Sequence, residues 1–268
     1  LDARAYKECG VSFYRFLAVL DLRTSEICQS LDNKVFPLSE RQVGKNYPPM
    51  HPWCRSTTLS SASEEDLKNM KRRAYDPETG RTVLIPATMS YADWYRKYVE
   101  GDPKAEAQKK MIKNVSADRK QFAQYQKVLG KDAPKRFTDF QAMKYNEPEN
   151  WKMLKKKKAT FSEIAEKEWS DEFKDKARGS YKNFESKGFA LSSHALSRFP
   201  RLNKKGFPEL SEDDVLKVLQ EKPKYLEGES KAVFFDKERQ LSIIQNRETK
   251  DIVSIVRRKN RKEEWKDV

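Results

Sequence analysis

The chain has 268 residues, 37% hydrophobic and 36% charged, with a formal net charge of +14, three cysteines and two histidines. Such a length predicts about two domains, and the lean apolar content fits two modest cores joined by solvated helix better than one large globule. With no apolar run of about 18 residues the sequence excludes a helical membrane span, and an odd cysteine count argues against a disulfide framework.

Further expectations follow from the same composition. The positive balance suits a polyanionic or acidic partner, or else reflects a lysine-rich helical surface. A reducing compartment is the simpler assumption for the cysteines. No basic segment followed by an apolar stretch opens the chain, so no secretory signal is expected. Leu1 in place of an initiator methionine suggests a trimmed or partial longer protein.

Residues 13–20, rich in aromatic and branched side chains, predict a buried strand. Thr24 and Ser25 then offer a cap for a short helix over 26–31, Asp32-Asn33 turns the chain, and 34–36 returns as a short strand. Pro48, Pro49 and Pro52 forbid helix and regular pairing, which sets His51 and Cys54 on a rigid loop. This small α+β unit ends near Pro86. Residues 90–129 read as helix, capped by Ser90 and Asp93, with Trp94, Tyr98, Met111, Phe122 and Tyr125 at helical spacings. Gly130 and Pro134 end it. A short helix is expected over 137–143, then a turn at Asn146-Glu147-Pro148, and after the run Lys155 to Lys158 a polar helix over 160–176 closed by Gly179.

From Ser192 the texture changes. Ser192 or Ser193 caps a short helix reaching Phe199, and Ser211-Glu212-Asp213-Asp214 opens another, with acids where the helix dipole favours them. Pro223 stops it. Three apolar runs follow, 232–235, 241–244 and 252–256, joined by hairpin-type connections at 236–239 and 246–250. The fold class is therefore α+β: a small N-terminal α+β unit, a helical middle, and a C-terminal domain of two helices packed on an antiparallel sheet. The expected divisions are 1–90, 91–146, a charged linker with one helix at 147–187, and 188–268.

Imidazole is the side chain whose unperturbed pKa lies nearest neutrality, so acid–base chemistry narrows to His51 and His194. In the first constellation, Cys28, His51 and Cys54 bring two thiols and an imidazole into one small unit. These residue types suit Zn²⁺, with Asp21 or Asp32 as a conceivable fourth ligand. They serve equally to hold a small fold together by packing and hydrogen bonds, and the spacing leaves both readings open. Cys9 has no partner in the motif and reads as a buried apolar residue.

Arg23-Thr24-Ser25-Glu26-Ile27-Cys28, then Asp32 to Phe36, Gly44 and Pro48-Pro49-Met50-His51-Pro52-Trp53-Cys54-Arg55-Ser56-Thr57-Thr58 together resemble the MuF-type phage minor head (head morphogenesis) proteins over about residues 5–60. Residues 118–145, with Val128-Leu129-Gly130-Lys131-Asp132-Ala133-Pro134 inside, look like the tail region of minor capsid proteins of Gram-positive phages. Capsid or portal proteins are the partners these likenesses imply.

The second constellation is Ser193-His194-Ala195-Leu196-Ser197-Arg198, the helix over 211–220 and a final strand with Ile252-Val253-Ser254-Ile255. It resembles the phage-associated branch of the barnase–EndoU–colicin–RelE ribonuclease superfamily over 185–260, with an insertion at 200–208 and serine at 254 where threonine is commoner. That resemblance implies a toxin domain at the end of a MuF chain, metal-independent RNA cleavage with tRNA as a conceivable target, and a cognate immunity protein. The protein would then be virion-associated, or an exported effector acting in the cytoplasm of a target cell.

The chemistry implied is attack of a ribose 2′-oxygen on the adjacent phosphate. His194 would transfer protons, Arg198 on the same helix face would offer a donor fork to phosphate, and Ser254 would face the sheet–helix cleft and contact the phosphate or orient His194. Lys231, Asn246, Thr249 and Arg257 are candidate RNA-backbone binders, and Phe199, Phe207 and Tyr225 either stack bases or pack the core. The bland alternative is that His194 and Arg198 form a polar helix face, and that the C-terminal domain of a structural minor capsid protein binds without catalysis. An ADP-ribosyltransferase is disfavoured because Glu248 falls in a turn and no Gln/Glu-x-Glu pair appears.

Overall fold

The computed structural model describes residues 3–60, 64–199, 202–203 and 205–268, apart from the side chains of 64–66. The chain divides into two compact units, Leu1–Arg119 and Lys120–Val268, and its mixture of helices and antiparallel sheets is of the α+β class. Among the described residues no helix is long and apolar enough to cross a membrane.

The first unit opens with α1 (Ala3–Glu8), β1 (Phe13–Leu17), α2 (Glu26–Leu31), β2 (Val35–Pro37) and β3 (Thr57–Ser60). The three strands form an antiparallel sheet in the order β2-β1-β3, with Tyr14 opposite both Phe36 and Ser60. The strand expected over 13–20 ends at Leu17, because the next backbone N–H, that of Ala18, is taken by the Asp32 carboxylate at 2.8 Å rather than by a ladder partner.

Next come α3 (Glu64–Asn69), the hairpin of β4 (Lys71–Asp76) with β5 (Arg81–Pro86), then α4 (Tyr91–Tyr98), α5 (Pro103–Lys113) and α6 (Val115–Leu129). Leu20, Leu22, Ala74, Ile85, Tyr91 and Trp94 form the core here. The continuous helix expected over 90–129 is broken. Gly101 turns the chain with φ of +78°, Asp102 caps the N–H groups of Lys104 and Ala105, and Pro103 starts a new helix where its missing N–H costs nothing.

Asp32 joins these parts. Its side chain, 1% exposed, pairs with Arg72 at 3.0 Å and accepts the N–H of Ala18 at 2.8 Å and of Tyr91 at 2.7 Å. One carboxylate thus fixes the end of α2 to the strand turn, the hairpin and the start of α4.

In the second unit, Tyr125 and Leu129 from the end of α6 meet α7 (Phe137–Asn146), α8 (Pro148–Glu166), α9 (Asp171–Glu185), α10 (Ser193–Leu196) and α11 (Glu212–Gln220). The strands β6 (Tyr225–Glu227), β7 (Lys231–Asp236), β8 (Leu241–Asn246), β9 (Ile252–Arg257) and β10 (Lys266–Asp267) build an antiparallel sheet in the order β10-β6-β7-β8-β9.

The stretch expected as a linker, 147–187, instead supplies α8 and α9. Leu154, Phe161 and Ile164 on α8 and Ala177, Tyr181 and Phe184 on α9 share a core with Phe234, Ile243, Ile252 and Ile255 of the sheet. Gly179 lies inside α9, and the break falls at 167–170, where the Ser170 hydroxyl caps the new helix. The lysine run had hidden an apolar stripe at helical spacing. Within it Lys157 is buried and paired with Glu185 at 2.5 Å.

Register assigns the two faces of the sheet, because directly paired residues share a face. Phe234, Ile243 and Ile255 form one row, facing the helical core, whereas Val233, Ile244 and Ser254 form the row on the opposite face, beside Phe235 and Trp265. A bulge between Ile244 and Gln245 pairs Gln245 with Ile252, which leaves Val253 as the extra residue of β9.

Candidate functional site

In the first unit, Ser25 is the N-cap of α2, and its hydroxyl accepts the N–H of Cys28, which sets the Cys28 thiol on the first helical turn. The proline-rich loop delivers the other groups. His51 Nδ1 lies 2.8 Å from the Pro52 carbonyl oxygen. A carbonyl can only accept, so Nδ1 donates there, and in the neutral imidazole Nε2 carries the lone pair. That lone pair faces Ser25 Oγ at 2.8 Å and Cys28 Sγ at 3.4 Å, and Cys28 Sγ lies 3.8 Å from Cys54 Sγ. The three potential ligand atoms all fall within 4.8 Å of one another.

Burial pushes the Cys28 thiol up, against the Ser25 and Ser56 hydroxyls and with the neighbouring Cys54. Burial acts in the same sense on Cys54, but hydrogen bonds from the Met50 and Ser56 backbone and the Ser56 hydroxyl overcome it and hold that thiol below its ordinary value. Beside the cluster, Arg55 pairs with Asp21. Burial would raise the Asp21 carboxyl, yet the Arg55 guanidinium, the Arg23 N–H and the Thr24 hydroxyl bring it below the usual carboxylate range. Asp21 and Asp32 are therefore both engaged by arginine and do not supply a fourth ligand. Cys9, expected to be buried, is exposed; it sits in the turn after α1, where its backbone N–H bonds the Ala5 carbonyl.

In the second unit, Ser192 clamps α10 to the sheet. Its N–H donates to the Ile252 carbonyl at 3.0 Å, and its hydroxyl donates to the Val253 carbonyl at 3.0 Å while accepting the N–H of Ala195. From α8, Thr160 donates to the Leu191 carbonyl and the Ser193 hydroxyl donates to Glu163 at 2.7 Å. The short helix is thereby fixed between strand and helix, with Ala195 and Leu196 buried and His194 exposed. Arg198 Nη2 and Nε approach His194 Nε2 at 3.3 and 3.4 Å. Burial, then the positive charges of Arg198 and Lys167, lower the imidazole below its ordinary value.

The remaining expected residues fall elsewhere. Ser254 is buried on the sheet face opposite the helical core, not in the sheet–helix cleft. The bulge at Val253 is the reason: it returns Ile252 to the core face and separates Ser254 from it. Lys231 pairs with Glu227 at 3.4 Å and lies opposite Asn246 in register. Asn246 Oδ1 accepts the N–H groups of Glu248 and Thr249, and the Thr249 carbonyl accepts Lys156 Nζ, so both shape the β8–β9 turn.

Arg257, at the other end of β9, is buried, donates to the Pro208 carbonyl and lies 5.0 Å from the Phe207 ring centre. Burial lowers its guanidinium below the ordinary value. Its Nε and Nη1 have no hydrogen-bond partner among the described residues. Of the expected 200–208 insertion, residues 200, 201 and 204 lie outside those described. Phe199 packs on Phe184 and Tyr225 on Trp265. Two groups that bear on His194 were missed, Lys167 and, through Ser193, Glu163; both belong to the stretch taken for linker.

No curated protein matches this chain, and no solved structure does. Residues 2–59, which include Cys28, His51 and Cys54, match the family described as Phage Mu protein F like protein.

Proposed function

We propose that the chain is a phage-derived toxin in which a Mu F-type region is joined to a metal-independent endoribonuclease. The observation that carries this reading is the exposed His194 with the Arg198 guanidinium at 3.3–3.4 Å and a depressed imidazole pKa. A neutral imidazole at neutral pH can take the proton of a ribose 2′-OH. The 2′-oxygen then forms a bond to phosphorus, the bond to the 5′-oxygen breaks, and the imidazolium returns the proton to that leaving oxygen. Arg198 and Lys167 offset the charge of the phosphorane. Ser254 takes no part, and Lys231 and Arg257 are weaker candidates for the RNA backbone because each is already engaged. Partners under this reading are RNA, a cognate immunity protein and phage capsid or portal proteins. The site of action is the virion or the cytoplasm of a target cell.

The test is incubation of the purified full chain with total RNA in EDTA. Cleavage leaving 2′,3′-cyclic phosphate ends is expected, lowered about 10²–10⁴-fold in His194→Ala and left nearly unchanged in Ser254→Ala. Cleavage that persists in His194→Ala refutes the assignment of this site. A second reading, a structural minor capsid protein with a non-catalytic C-terminal unit, is favoured by the family match at residues 2–59; RNA left intact by the wild-type chain selects it.

A further inference from the structure

We propose that Cys28, His51 and Cys54 form a Zn²⁺ site with three protein ligands and one vertex open beside Ser25. The two separations that involve Cys28 are those of a tetrahedral centre, and all three ligand atoms lie within 4.8 Å of one another. With Zn–S of about 2.3 Å and Zn–N of about 2.0–2.1 Å, tetrahedral angles put two thiolate sulfurs roughly 3.8 Å apart and a sulfur and an imidazole nitrogen roughly 3.5 Å apart. Cys28 Sγ and Cys54 Sγ are separated by 3.8 Å, and Cys28 Sγ and His51 Nε2 by 3.4 Å. A sulfur pair at 3.8 Å is too far apart for a disulfide, whose bond is about 2.05 Å.

The surroundings fit a metal as well as the ligands do. His51 donates its Nδ1 proton to the Pro52 carbonyl at 2.8 Å, the outer-shell bond that fixes the tautomer of a metal-bound imidazole and turns the Nε2 lone pair to the ion. Hydrogen bonds from the Met50 and Ser56 backbone reach the Cys54 sulfur, which suits a thiolate. Binding Zn²⁺ releases one proton from each thiol, and two thiolates with a neutral imidazole leave the centre uncharged, as a half-buried site requires. The recess lined by Ser25, Cys28, His51, Arg55 and Ser56 measures about 40 Å³. It admits an ion with a solvent ligand, since one water needs roughly 10–15 Å³, and is too small for an organic substrate. The role that follows is a clip between α2 and the 48–56 loop, independent of RNA cleavage.

The full chain is purified under reducing conditions, stripped with chelator and dialysed against Zn²⁺ or, separately, Co²⁺. About one equivalent of metal is expected, with a thiolate-to-cobalt charge-transfer band and strong visible absorption of tetrahedral Co²⁺. Metal should shield two of the three thiols from alkylation and leave Cys9 reactive, and chelator should expose all three. Cys54→Ser and His51→Ala should lose the site, while Cys9→Ser should keep it. If the ligand variants do not fold, the cobalt spectrum and thiol protection of the wild-type chain decide. No uptake by folded wild-type protein, uptake unchanged in Cys54→Ser, or alkylation of all three thiols in the presence of metal overturns the proposal.

Discussion

Replacing Asp32 by alanine removes one carboxylate and strands several donors at once. The Arg72 side chain, 10% exposed, loses its counter-ion, and the N–H groups of Ala18 and Tyr91 lose acceptors at 2.8 and 2.7 Å. Breaking a buried pair by deleting one partner costs about 3–5 kcal/mol, and each buried N–H left unsatisfied adds up to about 1–3 kcal/mol where water cannot reach it. Arg72 keeps bonds to the Ala18 and Met89 carbonyls, which holds the total near the lower end, about 3–5 kcal/mol. Two units need not unfold together, so the fitting assay is hydrogen exchange read by mass spectrometry on the full chain.

Peptides covering 13–36 and 71–98 should exchange on the order of 10²–10⁴ times faster in Asp32→Ala, while peptides covering 190–257 keep their protection. Asp32→Asn, which retains one acceptor and no charge, should fall between. Protection across 13–36 and 71–98 within about threefold of wild type, equivalent to about 0.7 kcal/mol, would refute the reasoning that this carboxylate holds the first unit together.

Three further outcomes are expected. Removing the Arg198 charge in Arg198→Gln should raise the His194 pKa toward the ordinary imidazole value; the base form is lost as pH falls, so the acid limb of RNA cleavage, or the His194 ring-proton NMR titration, moves to higher pH, and an unmoved or downward-moving midpoint contradicts the cause assigned here. In Glu185→Gln the buried Lys157 is left without its counter-charge; with Glu185 partly exposed, about 1–3 kcal/mol of stability should be lost from the second unit, read as a shift in its denaturation midpoint, and no shift would mean that Lys157 finds water instead. A fragment of 188–268 should fail to fold, as it lacks the α8 and α9 side chains of its core, whereas 120–268 should show a cooperative transition and near-ultraviolet circular dichroism; a cooperative transition in the shorter piece would show that the helices are dispensable.

The parts legible in the sequence were those with local signals. Ser25, Ser90 and Ser211 are caps in the structure because a hydroxyl and its N–H lie three residues apart, and the apolar runs within 232–256 are strands of the sheet. His194 and Arg198 meet since one helical turn separates them, and the Ser25 cap and the proline-rich loop bring the thiols of Cys28 and Cys54 and the imidazole of His51 together. What was hidden depends on distance along the chain. The apolar stripe of α8 and α9 is interleaved with lysines, so hydropathy over 147–187 reads as solvated although Phe161, Ile164, Tyr181 and Phe184 are buried. The Asp32–Arg72 pair spans 40 residues, and no local pattern marks it. Asp102-Pro103 after Gly101 was a visible helix break that the aromatic periodicity overrode.

The extra residue in β9 changes how related chains should be compared. A strand aligned by counting in twos from Ile252 puts position 254 with the core, whereas pairing with Ile244 puts it on the far side of the sheet. Two sequences of equal length, one with the bulge and one without, would therefore present a hydroxyl at the same aligned column to opposite solvents and to different ligands. An extra residue in β8 opposite Val253 would restore regular pairing and turn Ser254 and Ile252 onto one face, and so convert an identity in sequence into a difference in chemistry.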